Sequence, residues 1–106
     1  QSSDIFINVT GGLQIKEPAC DLAILCALAS SFKEIPVDFK TVLIGEVGLT
    51  GEIRGVNSIE KRLLEAKKMG FKRAVIAEAN AEISKEVKNM EIIPVNNIRQ
   101  VMDIIF

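Results

Sequence analysis

The chain has 106 residues, of which 48% are hydrophobic and 25% charged, and its formal net charge is −1. This length and composition are typical of one globular domain, so we expect a single domain over residues 1–106. Because the sequence contains no histidine, it excludes Ser-His-Asp and Cys-His catalysis, and no metal site is predicted. A net charge of −1 gives the whole chain no general attraction to nucleic acid.

The first half of the chain predicts a hairpin followed by a helix. Residues 4–9 are strand-like, and Gly11 and Gly12 turn the chain into a second strand-like segment at residues 13–16. A helix is predicted from Pro18, which is tolerated in a first turn, to about Phe32. Its residues are apolar nearly all round, so we expect this helix to be central and buried.

The second half alternates strands and helices. A continuous apolar strand is predicted at residues 41–44, a strand–turn–strand unit at residues 45–54, and a helix that ends at Gly70. A strand at residues 73–77, a short helix at 81–88, a strand at 91–95 and a last helix from about residue 98 follow. We therefore expect a mixed α/β (α+β) fold, with helices packed on a mixed sheet around the buried central helix.

Cys20 and Cys26 are the only cysteines, and they lie six residues apart in the predicted first helix. That spacing directs the two side chains to nearly opposite faces, so a disulfide between them is not expected. Reduced, buried thiols favour a cytoplasmic protein. The longest apolar stretch, residues 22–29, is too short to cross a bilayer, and no membrane association is predicted.

Three motifs together resemble the proteolytic domain of Lon-type serine–lysine peptidases over essentially the whole chain. They are Pro18-Ala19-Cys20-Asp21, the segment GEVGLTGEIR at residues 45–54, and Asn57-Ser58-Ile59-Glu60. In that family the nucleophilic serine occupies the position of Ala19, and the catalytic lysine occupies the position of Glu60. The resemblance therefore implies the fold of the family without its reaction, and no catalytic residue is predicted at these degenerate dyad positions.

Within that superfamily, the Lon-like domain of RadA-type (Sms) bacterial DNA-repair proteins is most similar, on the segments NVTGG at residues 8–12, EPACDLA at residues 17–23 and GEVGLTGEIR at residues 45–54. This resemblance implies a role in recombination, in which DNA-dependent ATPases promote branch migration as hexameric rings. It also implies a homo-hexamer and non-specific DNA as partners. ATP, magnesium and zinc would belong to other domains of such a protein, and no cofactor is expected in this domain. We expect the chain to be one domain of a longer protein.

The acidic residues near the degenerate dyad have structural interpretations. If Asn57 is the N-cap of the second helix, Glu60 falls at the third helical position and completes a capping box. Glu17 and Asp21 are expected to complement the dipole of the first helix, although paired carboxylates for acid–base catalysis are an alternative. Glu46 and Glu52 are expected to pair with Arg54. A further hypothesis is a catalytic dyad shifted by one residue, in which Cys20 would be the nucleophile and Lys61 the base.

The basic residues are unevenly distributed along the chain. Between residues 60 and 73, six basic side chains face two acidic ones, a local balance of +4. Such a segment is either a solvated helix face or a phosphate-binding surface, and a ring of six copies would multiply its charge. Without tryptophan or tyrosine, and with Phe71 as the only aromatic nearby, sequence-independent binding is expected. The candidate DNA-binding residues are Arg54, Lys61, Arg62, Lys67 and Lys68.

Overall fold

A computed structural model describes residues 17–106 of the chain. The strands predicted at residues 4–9 and 13–16, and the glycine turn between them, lie outside the described residues. A single 3-10 turn, Pro18–Cys20, leads directly into the first helix. The elements are α1 (Asp21–Lys33), β1 (Thr41–Ile44), β2 (Glu46–Val47), β3 (Ile53–Arg54), α2 (Ile59–Lys68), β4 (Arg73–Ala77), α3 (Ala81–Ser84), β5 (Glu91–Val95) and α4 (Ile98–Ile105).

Three parallel strands form the main sheet, in the order β1-β4-β5. The strands start in register, with Thr41 opposite Arg73 and Arg73 opposite Glu91. The strands β2 and β3 form a separate antiparallel pair. The predicted mixed α/β class is therefore confirmed, with the parallel and antiparallel strands in two sheets over residues 17–106 rather than in one.

The core lies on both faces of β4. Val75 and Ala77 pack with Leu22 of α1 and Val101 of α4, whereas Ala74 and Ile76 belong to a second cluster that includes Leu63 of α2. Successive side chains of a strand point to opposite faces, so this alternation places α1 and α4 on one side and α2 on the other. The apolar face predicted for α2 is buried as expected, at Ile59, Leu63 and Ala66.

The first helix is less buried than its apolar sequence predicts. Leu22 and Cys26 are completely buried, but Leu28 is exposed and Phe32 is 91% exposed. Residues four apart share one face of a helix, and only this face meets the sheet in residues 17–106. The expectation of a helix buried all round was wrong for this part of the chain.

The short helix after β4 is also shorter than predicted. A 3-10 turn at Glu78–Asn80 leads into α3, which ends at Ser84 rather than at residue 88. Beyond it, the backbone N–H of Val87 bonds the carbonyl of Ser84 at 3.0 Å, a three-residue step tighter than the α-helical one. The tighter winding places Val87 in the core.

Asn80 joins this turn to the loop that precedes α2. Its side chain is buried, donates to the carbonyl oxygen of Val56 at 3.0 Å and accepts from the N–H of Val56 at 2.9 Å. One amide thereby satisfies both backbone polar groups of a loop residue 24 positions away. The close approach favours glycine at position 55, because a Cβ there would lie 3.2 Å from the Cβ of Ala79, which is a tight contact.

The β2–β3 hairpin lies over the carboxyl end of the parallel sheet. The N–H of Ile53 bonds the carbonyl of Asn96 at 2.9 Å, and the N–H of Ile98 bonds the carbonyl of Gly51 at 2.8 Å. Gly51 has φ of 86°, in the left-handed region that favours glycine. The hairpin is therefore attached on both sides of the β5–α4 junction.

The carboxylate of Glu52 closes the tip of this hairpin. It accepts hydrogen bonds from the N–H of Thr50 at 3.1 Å, from the Thr50 hydroxyl at 2.5 Å and from Arg54 Nη2 at 2.8 Å. The space it occupies exists because residue 48 is glycine, since a Cβ there would lie 2.1 Å from Glu52 Oε2. These bonds, the Thr50 hydroxyl first, lower the pKa of Glu52 to about 2.

Replacing Asn80 by alanine tests the bridge to Val56. We expect Asn80→Ala to lower the free energy of unfolding by about 1–3 kcal/mol, because it leaves a part-buried backbone N–H and carbonyl unsatisfied. Urea denaturation followed by circular dichroism measures the change. The control is Asn96→Ala, which removes an exposed amide that makes no side-chain hydrogen bond within residues 17–106. Equal midpoints for the two variants would contradict the assigned role of Asn80.

The depressed pKa of Glu52 is accessible to NMR titration of its side-chain carboxyl carbon. We expect a pKa near 2 in the unmodified chain, and an increase toward the ordinary value in Thr50→Val and in Arg54→Ala. Lys85→Ala removes a distant cation and should leave this pKa unchanged. Because folding lowers the pKa, the contribution of Glu52 to stability is present above its unfolded value of about 4.5 and is lost as pH falls toward 2. An ordinary pKa in the unmodified chain would exclude the closed hairpin tip.

Candidate functional site

The position that corresponds to the nucleophilic serine lies against a small cavity. Ala19 is 5% exposed, and its carbonyl oxygen accepts a hydrogen bond from the N–H of Gly45 at 3.0 Å. The N–H of Leu22 bonds the carbonyl of Gly45 in return, also at 3.0 Å, which fixes the 3-10 turn to the end of β1. The cavity has a volume of about 90 Å³ and is lined by Glu17, Pro18, Ala19, Val56, Asn57 and Arg62.

Arg62 lines this cavity. Its guanidinium forms an ion pair with Glu17 and donates to the carbonyl oxygen and to Oδ1 of Asn57, each at 2.8 Å. The Arg62 side chain is only 29% exposed, and two of its three contacts are hydrogen bonds from a charged donor, which are stronger than neutral ones. The guanidinium of Arg62, which lines the same cavity as Ala19, is therefore already bound by other groups of the chain.

The capping box predicted for α2 is not formed. The N-cap is Ser58, with φ of 56° and no side-chain capping bond, and the helix begins at Ile59. Glu60 is exposed in the first turn of α2, where its negative charge interacts favourably with the positive end of the helix dipole. The predicted cap failed because the Asn57 side-chain oxygen accepts from Arg62 instead of from the helix backbone.

The surroundings of Cys20 oppose a reactive thiolate. Burial raises the pKa of the Cys20 thiol, the charge of Glu17 raises it further, and Arg62 acts in the opposite direction. Burial also raises the pKa of Cys26, to about 11. A nucleophilic cysteine needs a lowered pKa, so these effects argue against the shifted Cys20/Lys61 dyad.

Glu17 and Asp21 are directed to different partners. Glu17 pairs with Arg62, whereas Asp21 Oδ2 accepts a hydrogen bond from the N–H of Val47 at 3.1 Å. Asp21 also lies in the first turn of α1, as the helix-dipole interpretation expects. This arrangement supports structural roles for both carboxylates rather than paired acid–base catalysis.

Four of the five candidate DNA-binding residues already contact other groups of the chain. Arg54 bonds Glu52, which raises the pKa of the arginine, yet its side chain remains 53% exposed. Arg62 is held by Glu17 and Asn57, as described above. Lys67 Nζ donates to the carbonyl of Lys88 at 2.7 Å, and Lys68 lies 3.7 Å from Glu65.

Lys61 differs from the other four candidates. It is exposed, and it forms no ion pair or hydrogen bond within residues 17–106. It lies at the edge of an open groove of about 570 Å³ that runs along α2. The groove has an apolar floor and is lined by Val42, Ser58, Lys61, Arg62, Glu65, Ala66, Met69 and Phe71.

The Glu17–Arg62 pair was not predicted from the sequence. The two residues are far apart along the chain, and neither belongs to a local pattern that indicates a partner. The Glu52–Arg54 pair was predicted, and the two residues share one face of the hairpin because they lie two positions apart. Within residues 17–106, no three Cys, Asp or Glu side chains are grouped as a metal site requires. In the same part of the chain, no helix has the length and apolar character needed to cross a membrane.

Comparison with known proteins gives one consistent result. The sequence model of the Lon protease (S16) C-terminal proteolytic domain matches residues 1–106. The DNA repair protein RadA of Aquifex aeolicus is 46% identical over 108 residues, which cover 100% of this chain and 23% of that protein. RadA of Bacillus subtilis is 45% identical over 102 residues, covering 96% and 22%, and RadA of Streptococcus pneumoniae is 39% identical over 106 residues, covering 100% and 25%.

The chain thus spans about a quarter of the length of these relatives. The matches confirm the resemblance that the sequence motifs indicated, both to the Lon proteolytic domain and to RadA-type proteins. They extend over the whole chain, including the degenerate dyad positions. The chain belongs to the Lon protease (S16) C-terminal proteolytic domain family.

Proposed function

We propose that this chain is a non-catalytic, Lon-like scaffold domain of a RadA-type DNA-repair protein. In this proposal it supports assembly of a hexameric ring and contacts DNA without sequence preference during branch migration of recombination intermediates. The observation that supports it most directly is the degenerate dyad. A buried alanine stands at the position that the resemblance assigns to the nucleophile, and the paired Glu17 and Arg62 line the adjacent cavity.

The loss of peptidase chemistry follows from the requirements of a serine–lysine dyad. Such a dyad needs a hydroxyl group that attacks and a neutral amine that accepts its proton. Ala19 has no hydroxyl, and Glu60 is an exposed acid in the first turn of α2. What remains at this place is a set of contacts that joins the 3-10 turn, β1 and α2, and these contacts serve the fold.

The DNA contact is proposed for the surface that bears Arg54 and Lys61. Both side chains are exposed; Arg54 ends the hairpin, and Lys61 lies in the first turn of α2, seven residues further along the chain. The phosphate backbone binds such cations without regard to sequence. In a ring, six copies of this surface would face one channel and supply a positive charge that a monomer of net charge −1 lacks.

The remaining properties belong to the whole repair protein. Because the relatives are about four times longer than this chain, ATP hydrolysis, magnesium and zinc are proposed for their other domains, as is the use of ring assembly during repair. The proposed location is the cytoplasm, where both cysteines would remain reduced.

The DNA contact is tested with the double variant Arg54→Ala/Lys61→Ala and a fluorescein-labelled 20-base-pair duplex of mixed sequence. Fluorescence anisotropy at several salt concentrations measures the affinity. We expect weaker binding, and a salt dependence of log K that is less steep by about 0.9 for each phosphate contact removed. The control, Lys33→Ala/Lys85→Ala, removes two exposed cations that lie outside the hairpin and α2 and should bind as the unmodified chain does.

The same experiment separates the proposal from an assembly-only module. If the unmodified chain forms a ring by light scattering but does not retain the duplex at low salt, DNA contact is absent and assembly alone remains. If it binds the duplex and both double variants weaken it equally, the contact is not at the proposed surface.

Alkylation by iodoacetamide tests the residual-peptidase alternative. In a Cys26→Ser variant, which leaves one thiol, we expect Cys20 to react more slowly at pH 7 than the thiol of glutathione. The physical reason is that burial and Glu17 raise its pKa, so less thiolate is present. Mass spectrometry follows the added group with time. A Cys20 more reactive than glutathione would revive the shifted dyad.

A further inference from the structure

The groove along α2 is formed by one face of that helix and by β1. Most of its α2 residues are three or four positions apart and therefore share one face of the helix: Ser58, Arg62, Ala66 and Met69. Val42 contributes to the floor from β1. The side chains of Ala66 and Val42 are short, whereas those of Arg62 and Met69 are long. This difference leaves the open volume of about 570 Å³ between them.

A fixed turn closes one end of the groove. Gly70 has φ of 101°, and its N–H bonds the carbonyl of Lys67 at 3.0 Å, while the N–H of Phe71 bonds the carbonyl of Ala66 at 3.1 Å. These two bonds form the Schellman motif, in which the chain folds back on the last turn of the helix. The backbone of Phe71 is thus fixed before a ligand arrives, which lowers the entropic cost of binding.

The floor of the groove is apolar and accessible. Met69 is 75% exposed, and Val42 and Phe71 are half-buried beside it. The methionine side chain is flexible and polarizable, so it adapts to apolar groups of different shapes. The floor is therefore suited to apolar side chains of a ligand.

Lysines flank the two ends of the groove. Lys61 lies in the first turn of α2 and Lys68 is its last residue, about 10 Å further along the helix axis. Lys61 forms no ion pair within residues 17–106. The side chains of Lys68 and Glu65 are 76% and 64% exposed, and such exposed pairs contribute little. An occupant with an apolar centre and an acidic group at each end complements this pattern.

The pattern favours a peptide over a nucleic acid. A nucleic acid would place phosphates over the apolar floor, and removing a charge from water without a partner is costly. Phe71 is the only aromatic residue that lines the groove, and it is half-buried, so no open ring face is offered to a base. A peptide carries apolar and acidic side chains on one backbone. Four extended residues span about 13 Å, which is close to the separation of the two lysines.

We propose that the α2 groove binds an acidic, extended segment of another protein. Two apolar side chains of this segment contact Val42, Ala66 and Met69, and carboxylates on either side of them contact Lys61 and Lys68. The proposal goes beyond the proposed function and requires neither ring assembly nor DNA contact. Lys61 belongs to the proposed DNA surface as well, so Met69 is the residue that distinguishes the two sites.

The experiment uses the chain and a fluorescein-labelled peptide, Asp-Asp-Leu-Ser-Phe-Asp-Asp, with binding measured by fluorescence anisotropy. The Leu and Phe of this peptide are two positions apart and share one side of an extended chain. In a second peptide Asn replaces every Asp, and in a third Ser replaces Leu and Phe. We expect the first peptide to bind about tenfold more tightly than either of the others, because charge attraction and apolar burial both contribute.

Replacing Met69 tests the floor of the groove. Met69→Ser should weaken binding of the first peptide by about fivefold or more and leave binding of the 20-base-pair duplex unchanged. The matched control is Leu64→Ser, because Leu64 is 43% exposed on the same helix and does not line the groove. In methyl NMR spectra, the first peptide should shift the Met69 signal and leave those of Met90 and Met102 in place.

A second pair of variants tests the lysines. Lys61→Gln/Lys68→Gln should weaken binding of the first peptide and make it less dependent on salt, because two charge contacts are lost. The control Lys33→Gln/Lys85→Gln makes the same change of charge elsewhere. Lys85, like Lys68, forms an exposed pair with the glutamate three residues before it.

The proposal is overturned if the first peptide does not bind, if Met69→Ser binds it as Leu64→Ser does, or if the peptide without Leu and Phe binds equally well. The last result, with displacement of the peptide by the duplex, would identify a general surface for polyanions. If Met69→Ser instead lowers the molar mass of the chain in light scattering, the groove is a contact between copies of the chain and the assigned partner is wrong. The duplex experiment with Arg54→Ala/Lys61→Ala tests the proposed function separately.

Discussion

The burial of β4 on both faces is the constraint on which the rest of the structure depends. Ala74, Val75, Ile76 and Ala77 are completely buried, because α1 and α4 pack on one side of the strand and α2 on the other. A parallel strand in this position can have no exposed face, and its two neighbours must supply all its interstrand hydrogen bonds. The order β1-β4-β5 satisfies both requirements, and the connecting helices have to cross over the sheet.

The same parallel arrangement gives the two ends of the sheet different characters. At the carboxyl end, the β2–β3 hairpin bonds the backbone of Asn96 and Ile98, and Asn80 secures the following loop. At the amino end, the residues before the strands have no such cover among residues 17–106, and lysines occupy most of these positions.

Ala19 and Glu60, which the family resemblance places at the dyad positions, lie in a region held together by backbone bonds and one ion pair. The carbonyl of Ala19 accepts a hydrogen bond from the N–H of Gly45, and the N–H of Leu22 donates to the carbonyl of Gly45, so the first turn of α1 is fixed to the end of β1. Arg62 then joins Glu17 to Asn57 across the small cavity. Together these contacts join the 3-10 turn to the end of β1 and to α2.

Patterns within ten or so residues were enough to predict most elements. The spacing of Ile59, Leu63 and Ala66 predicted α2 and its buried face, and the strands at residues 41–44, 73–77 and 91–95 were predicted with the bounds that the structure has. The family followed from three local motifs. The short-range pair of Glu52 and Arg54 was also within reach, since both residues belong to one hairpin.

Local patterns failed wherever a distant partner competed. Asn57 has the chemistry of an N-cap, but its side-chain oxygen is bound by Arg62, whose orientation depends on Glu17 in another element. The apolar sequence of α1 fixes a helix but not which of its faces the sheet covers, so Phe32 remained unpredictable. The amino acid sequence by itself determined the elements and the family, because those depend on periodicity and short motifs. Only the tertiary structure decided the Glu17–Arg62 ion pair and, through it, the partner of the Asn57 side chain, because Glu17 and Arg62 come from distant parts of the chain.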